Sequence, residues 1–469
     1  MTAPARAAPA PAMTRTEQML NRPALPLILT MAAPNAVAFL VQGTVSMTEV
    51  WFIGHLGTEA LAAIALMFPA LMLMQMLSNG AIGGALSSSV ARALGRDRKD
   101  QAEALIWHGL VIALAAGTLF WLIWWFGGPA LLQQLDVAPL VKTEAILYGH
   151  ILFAGGMTLW LMGTVAAIYR GMGEMRSPAV VMVLGSFVQI PLSGALILGW
   201  AGLPKLGVAG AAVSVVLSMG LTALVLIGGL VRGRQILQLR RSAFQLQKAL
   251  FADIFRVGAL SSLSPVLTVL AIATVNVIVS SFGATALAGY GIAARLEFLL
   301  IPLVFGIGAA MTAIIGTNVG AGRIARAEQV GWTGGALAAG LTGSIGLVLA
   351  LAPHLWAGLF TDDPETFAAG ARFLQIVGPF FLFQGLGLAL YFGSQGAGEI
   401  RWPIFAALVR FVVAIGGASL AAYGFGYGLD MVYACIAAGM LLFGVITAGA
   451  IRLGAWRSPG PRALAANEH

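Results

Sequence analysis

Between residues 25 and 453 the chain alternates long apolar stretches with short polar breaks, and the apolar stretches fall at 25–51, 58–86, 104–126, 144–169, 178–200, 206–230, 256–282, 286–316, 330–354, 370–395, 403–425 and 430–453. At about 1.5 Å of rise per residue, each is long enough as a helix to cross a hydrocarbon core of about 30 Å. Their continuity excludes a transmembrane barrel, whose strands would read as short segments of alternating polarity. The pattern predicts an all-α polytopic membrane protein with twelve transmembrane helices.

The polar breaks repeat. LGRDRKDQAEALIWHG after the second run matches VGAGRIARAEQVGWTGG after the eighth, pairing Gly95 with Gly320, Glu103 with Glu328 and Trp107 with Trp332 at a constant 225 residues. GMGEMRSP after the fourth run matches GAGEIRWP after the tenth at the same offset, and LGTEALAA matches FGATALAG at 226. An internal duplication of this kind predicts two pseudo-symmetric six-helix lobes. Six is even, so both halves enter the membrane from the same side and form a parallel repeat about an axis along the membrane normal. The expected divisions are a tail 1–22, an N-lobe 23–231, a linker 232–255, a C-lobe 256–455 and a second tail 456–469.

Composition agrees with a membrane protein: 59% of residues are hydrophobic, 9% are charged and the mean hydropathy is +0.91, against about a quarter charged in an average soluble domain. The net charge of +8 would suggest an anionic or nucleic-acid partner if the basic residues were clustered on a soluble face. They are not. Placing both termini in the cytoplasm puts 21 of the 26 lysines and arginines in cytoplasmic tails and loops, including Arg92, Arg170, Arg176 and Arg323, and leaves Lys142, Lys205 and Arg372 outside. That distribution obeys the positive-inside rule, predicts a bacterial inner membrane location and gives no reason to expect nucleic acid. No separate short apolar run with a cleavage site precedes the first span, so residues 1–22 are expected to be a disordered tail. The basic stretch 232–255 is expected to be a solvated amphipathic helix on the cytoplasmic surface. Cys435 is the single cysteine and can form no intrachain disulfide.

Ionisable groups inside the spans are costly, at least about 2.5 kcal/mol each, and so come first as functional candidates. Glu49 in the first run is the sharpest, because Ser46, Gln42 and Asn35 precede it at helical spacings of 3, 7 and 14 and make a polar stripe on one face. Lipid cannot solvate such a stripe, which points it at a bundle interior or a water-filled cavity, and Pro34 at its start can bend the helix. A carboxyl group there favours its neutral form and can exchange a proton or pair with a cation. The alternative is a carboxyl that snorkels to water from the helix end, one turn away. Ser186, Gln189 and Ser193 form a second stripe in the fifth run, and Gln75, Ser78 and Asn79 a third in the second; polar stripes also simply join helices. The seventh run, the repeat mate of the first, carries Ser261, Ser264, Thr268 and Asn276 but no acid.

Arg295 and Glu297 stand two residues apart, so each is expected to meet a different neighbour. Arg410 either repels cations from the second lobe, neutralises an unseen acid or snorkels. Met67, Met72, Met74 and Met76 either line an adaptable cavity or face lipid. No phosphate-binding loop, nucleophile elbow or metal-ligand cluster occurs, so neither a cofactor nor a metal is expected.

Once the duplicated segments are aligned, EVWFIGHLG at 49–57, FGATALAGYGIAARLEFLLIP at 282–302, IIGTNVGAGRIARAEQ at 314–329 and GSQGAGEIRWP at 393–403 resemble the multidrug and toxic compound extrusion (MATE) family over about residues 20–455. The resemblance implies a V-shaped pair of lobes around a cavity. It also implies export of small cationic or amphipathic compounds, driven by inward protons or, alternatively, sodium. Relatives carry an aspartate five positions before the glycine of the first loop; here that position is Glu49, which the resemblance makes the coupling carboxylate. Relatives also carry an Asn and an Asp where Gln189 and Ser193 stand, so the second acid is missing. That favours a proton over sodium. Acids used by another branch in the seventh and tenth helices align near Thr268 and near Gly385 beside Gln384. Coupling is therefore expected in the first lobe, with Asn35, Gln42, Ser46, Gln75, Asn79, Gln189, Ser193, Thr268 and Gln384 as cavity residues. The protein is expected to act as a monomer surrounded by membrane lipid.

Two rivals remain. A flippase for a lipid-linked precursor would share the two lobes but need a strongly cationic cavity for pyrophosphate, for which only Arg295 and Arg410 qualify. A membrane-embedded enzyme would need several acids, histidines or a metal set at one depth.

Overall fold

A computed structural model describes residues 13–233 and 235–457, and these are all-helical. Eleven helices are long and apolar enough to cross a membrane, and a bent pair makes a twelfth span. In chain order they are α1 (Ala24–Gly54), α2 (Thr58–Gly95), α3 (Lys99–Gln133), α4 (Pro139–Ala154 and Gly156–Gly171), α5 (Arg176–Leu198), α6 (Val208–Val231), α7 (Lys248–Ser280), α8 (Ala284–Gly320), α9 (Ile324–Leu351), α10 (Pro364–Ala397), α11 (Arg401–Gly424) and α12 (Leu429–Arg452). The fourth run, continuous in sequence, bends by 47° at Gly155. A side chain there would collide with Val216 of α6, so the glycine lets the two helices touch at the elbow. Wide π turns interrupt α2 at Met76–Ile82 and α11 at Val412–Gly416, the kind of local widening that often marks functional helices.

The duplication is visible in the backbone. Gly57 and Gly283, 226 apart, both sit at helix starts with φ of 121° and 110°, and Gly173 and Gly398, 225 apart, both adopt left-handed turns with φ of 74° and 80°. A side chain is strained in that region, so both halves keep glycine there. One apolar core fills the N-lobe and runs on into α7, α10, α11 and α12, another fills the half of the C-lobe remote from the chain termini, and a third joins α1, α8 and α10 near the terminal face.

The lobes meet on that terminal face, where α2 and α8 cross. A Cβ on Gly95 would strike the backbone of Thr317, and one on Gly320 would strike the backbone of Arg92. These are the same contact seen from each half of the repeat. Nearby, Gly316 packs on Ala91, Gly258 on Ile82 and Ala85, and Gly306 on Ala32 and Ala36. The contacts between lobes thus concentrate in the terminal half of the bundle.

Two segments depart from the reading of the sequence. Residues 15–21 of the expected disordered tail form a helix, Arg15–Asn21, closed by a capping box: Glu17 N donates to Thr14 Oγ1 at 3.3 Å and Thr14 N to Glu17 Oε2 at 2.7 Å. Met19 is 1% exposed and its carbonyl accepts from Asn318 Nδ2 at 3.1 Å, while Arg15 pairs with Glu174. Residues 1–12 and 458–469 of the two tails lie outside the described residues. The linker is the second departure. Apart from one turn at Arg241–Ala243, its described residues are not helical before Lys248, where α7 begins. Side chains of α3 supply the partners that helical bonds would have: Glu103 Oε1 accepts from Gln238 N at 3.3 Å, Trp107 Nε1 donates to Arg240 O at 2.9 Å, and His108 Nε2 accepts from Gln247 N at 2.9 Å. His108 is therefore a buried fastening of this strap.

Candidate functional site

In the N-lobe, α1 brings Glu49 against α5 and α6. Gln189 Nε2 donates to Glu49 Oε1 at 2.9 Å and Ser214 Oγ lies 3.5 Å from the same oxygen. Gln189, Ser193 and Ser214 are buried. The carboxyl itself is half-buried. One acid thus sits among amide and hydroxyl groups inside a bundle, a setting in which gaining or losing its charge changes which hydrogen bonds can form. Ser214 was not among the candidates read from the sequence. Its signal was present: Ser214, Ser218 and Thr222 recur every four residues along an otherwise apolar run, and all three are buried.

The rest of the first stripe does not stay with Glu49. Asn35 is 3% exposed and its Nδ2 lies 3.2 Å from Met175 Sδ, packed against the α4–α5 corner on the terminal face. Gln42 is half-buried and Ser46 exposed. In α2, Asn79 Nδ2 donates weakly to Gln75 O at 3.4 Å across the π turn. Met67 and Met74 are core residues, and Met76 reaches the opposite lobe.

In the C-lobe, α7, α8, α10, α11 and α12 enclose a cavity of about 360 Å³. Thr268, Arg295, Glu297, Gln384 and Arg410 all line it, with Met76 arriving from the N-lobe. Arg410 Nη1 donates to Gln384 Oε1 at 3.0 Å, and its guanidinium lies over the Phe443 ring at 5.7 Å. Arg295 is exposed and stands over Phe360 at 5.5 Å. Arg295 and Glu297 both border this cavity. Thr268 Oγ1 is turned to its own helix, donating to Ser264 O at 2.9 Å.

Between the lobes the structure reveals two arginines that the sequence placed in solvated loops. Arg92 is 4% exposed; its Nη2 donates to Asp253 Oδ2 at 2.7 Å and to Ser89 Oγ at 3.1 Å, and its Nη1 to Ser88 Oγ. Ser88 Oγ in turn lies 2.5 Å from Gln395 O, and Gln395 Nε2 donates to Gly80 O and Ser261 Oγ, each at 3.0 Å. Arg170 is 3% exposed, donates to Asn79 O at 3.5 Å and lies over Phe305 of α8 at 5.9 Å. Among the described residues no three His, Cys, Asp or Glu side chains gather as metal ligands, so a cation at Glu49 would have one carboxylate with amide and hydroxyl oxygens.

A twelve-span, two-lobed bundle with charged groups held inside its lobes is the architecture of a membrane transporter. The chain belongs to the MatE family, the MATE multidrug efflux transporters, whose model matches residues 34–194 and 261–419, once in each lobe. It is 25% identical to a probable multidrug resistance protein NorM of Thermotoga maritima over 80% of this chain and 81% of that protein. It is 29% identical to the multidrug resistance protein NorM of Burkholderia vietnamiensis, covering 80% and 82%, and 28% identical to an FAD transporter of Shewanella oneidensis, covering 66% and 69%. Among solved structures, a MOP-superfamily transporter from Pyrococcus furiosus, described as having a binding pocket of reversed polarity, superposes with a TM-score of 0.88 at 24% identity, covering 96% of this chain and all of that one. A multidrug resistance MATE transporter in an outward-facing conformation gives 0.88 at 24% identity with the same coverage.

Proposed function

We propose that this protein exports cationic or amphipathic compounds across the bacterial inner membrane in exchange for protons, and that Glu49 is the coupling carboxylate. The observation that carries this reading is the placement of Glu49 against Gln189 and Ser214. Gln189 turns an amide donor toward the acid at 2.9 Å, an arrangement that suits its charged form, while the Ser214 hydroxyl, 3.5 Å from the same oxygen, also has Ala211 O within reach at 2.8 Å. A proton on Glu49 weakens its hold on these groups and adds an O–H donor that needs an acceptor of its own, so the contact between α1, α5 and α6 rearranges. Protonated and deprotonated forms then favour different positions of α1, which is the differential binding that coupling requires. A single acid with few oxygens around it supports a proton better than sodium. With the basic face in the cytoplasm, as the positive-inside rule directs, the seam at Gly95 and Gly320 closes the cytoplasmic side and the lobes part toward the outside. The protein works as a monomer in this scheme.

The test is uptake of a cationic dye into inverted vesicles, which reports export, under separately imposed proton and sodium gradients. Proton-driven efflux by the unaltered protein and its loss in Glu49→Gln are expected. Normal efflux by Glu49→Gln would place coupling elsewhere, and dye movement driven only by sodium would replace the proton.

A further inference from the structure

The C-lobe cavity is the repeat-related counterpart of the Glu49 site, with different contents. At the offsets of 226 and 225 that relate the halves, Glu49 corresponds to Val275, Gln189 to Ala414 and Ser193 to Ala418. Val275 and Ala414 line the C-lobe cavity. Where the N-lobe fills this space with an acid and its donors, the C-lobe leaves it open and borders it with Arg410, whose own counterpart, Gly185, has no side chain. The guanidinium has five N–H donors, and its hydrogen-bond acceptor among the described residues is Gln384 Oε1 alone. Glu297 lines the same space and its charge acts on Arg410 across it, but it is not among the ion pairs of the described residues, so no carboxylate is in direct contact with the guanidinium. Phe373, Phe411, Phe443 and Tyr290 are among the side chains that line the cavity, with the Phe443 ring beside the guanidinium.

We propose that the C-lobe cavity is a binding site for an aromatic carboxylate, whose anionic group is received by Arg410 beside Gln384 and whose ring lies among the phenylalanines. A free, planar array of donors matches a carboxylate in geometry as well as charge. Gln384 and the Phe443 face hold the guanidinium in place before a ligand arrives, which lowers the cost of ordering it. The volume of about 360 Å³ lies within the range of small-molecule pockets. Glu297 repels the anion across the cavity, so the carboxylate sits on the α10–α11 side and the uncharged end of the ligand lies toward α8.

The experiment is equilibrium binding of 1-naphthoate and its methyl ester to the purified full-length protein in lipid nanodiscs. The unaltered protein is expected to bind the acid about tenfold or more tightly than the ester, Arg410→Gln to bring the two within about twofold, and Arg410→Lys to keep part of the preference, in line with a lost charge-assisted contact. Glu297→Gln is expected to tighten the acid and leave the ester unchanged. Glu49→Gln, which tests the coupling proposal, is expected to alter neither. Thr268→Trp fills the cavity from α7, leaves Arg410 itself unaltered and is expected to abolish binding of both, so the site remains testable even where Arg410→Gln does not fold. Equal binding of acid and ester by the unaltered protein, an undiminished preference in Arg410→Gln, weaker acid binding in Glu297→Gln, or unaffected binding in Thr268→Trp would each overturn the proposal.

Discussion

The two lobes share a backbone and differ in chemistry. The turns at Gly57 and Gly283, and at Gly173 and Gly398, have similar positive φ angles, and the seam contacts of Gly95 and Gly320 are reciprocal. Yet the N-lobe's Glu49, Gln189 and Ser193 face no polar counterparts, since Val275, Ala414 and Ala418 occupy those positions. The C-lobe's Arg410 and Gln384 likewise correspond to Gly185 and Leu159. Duplication fixed where helices start, turn and cross, because those features depend on glycine and on backbone approach. It left the interior side chains free to diverge, and one lobe became acidic where the other became an open cavity bordered by a cation.

The strongest way to break this contrast is to neutralise one acid in each lobe. Under the proposed coupling, Glu49→Gln lowers proton-driven dye efflux by about tenfold or more, the size of a typical coupling free energy. Glu297→Gln is expected to leave the proton dependence in place and to change only which compounds compete with the dye. Transport assays under an imposed proton gradient read both. Equal losses in the two variants would mean that the lobes share the coupling role.

The next contrast lies at the seam, where the backbone is symmetric but the charges are not. Arg92 reaches Asp253 at 2.7 Å, with side-chain exposures of 5% and 26%, whereas the position matching Arg92 is Thr317. Asp253→Asn leaves Arg92 buried without its acid and is expected to cost about 2–3 kcal/mol, below the value for a wholly buried pair because Asp253 is partly open to water. Thermal unfolding in detergent measures this, and the loss should fall to near zero when Arg92→Gln is added. By contrast, Gly95→Ala and Gly320→Ala should each cost about 1–2 kcal/mol through backbone overpacking, and by similar amounts, because each meets the same contact from opposite sides. A large inequality between the two would show that the seam is not symmetric.

The twelve spans and the duplication were legible because both are written in local pattern: long apolar runs and glycine-bearing turns at a fixed interval. The placement of Gln189 and Ser214 on Glu49 was half legible. The stripe in the fifth run pointed inward, but which helix it would meet depends on packing, and Ser214 lay on a stripe that was not read. Arg92 and Arg170 could not be read as buried, since each lies at a helix end that looks solvated until the other lobe covers it. The elbow in α4 escaped for the same reason: Gly155 is required by the approach of Val216, a contact made 61 residues later in the chain.

The smallest predicted effect concerns the segments that lead into each lobe. Ahead of α1, Thr14 and Glu17 close a capping box and the helix Arg15–Asn21 forms; ahead of α7, the corresponding stretch has no such box and stays a strap held by Glu103, Trp107 and His108. The box was written in the sequence as Thr-Arg-Thr-Glu at 14–17 with the threonine three before the acid at Thr14 and Glu17 only if Arg15 and Thr16 are read as the first helical turn. Thr14→Ala should therefore cost about 1 kcal/mol of local stability, seen as faster amide exchange across residues 15–21 while the spans and the strap exchange as before. Because this helix touches Glu174 of one lobe and Asn318 of the other, its loosening also frees a tie across the seam. A faster exchange that spreads to Asn318 would mean that the helix restrains the closed terminal face, whereas exchange confined to residues 15–21 would leave Arg92 and Asp253 as the tie that holds it.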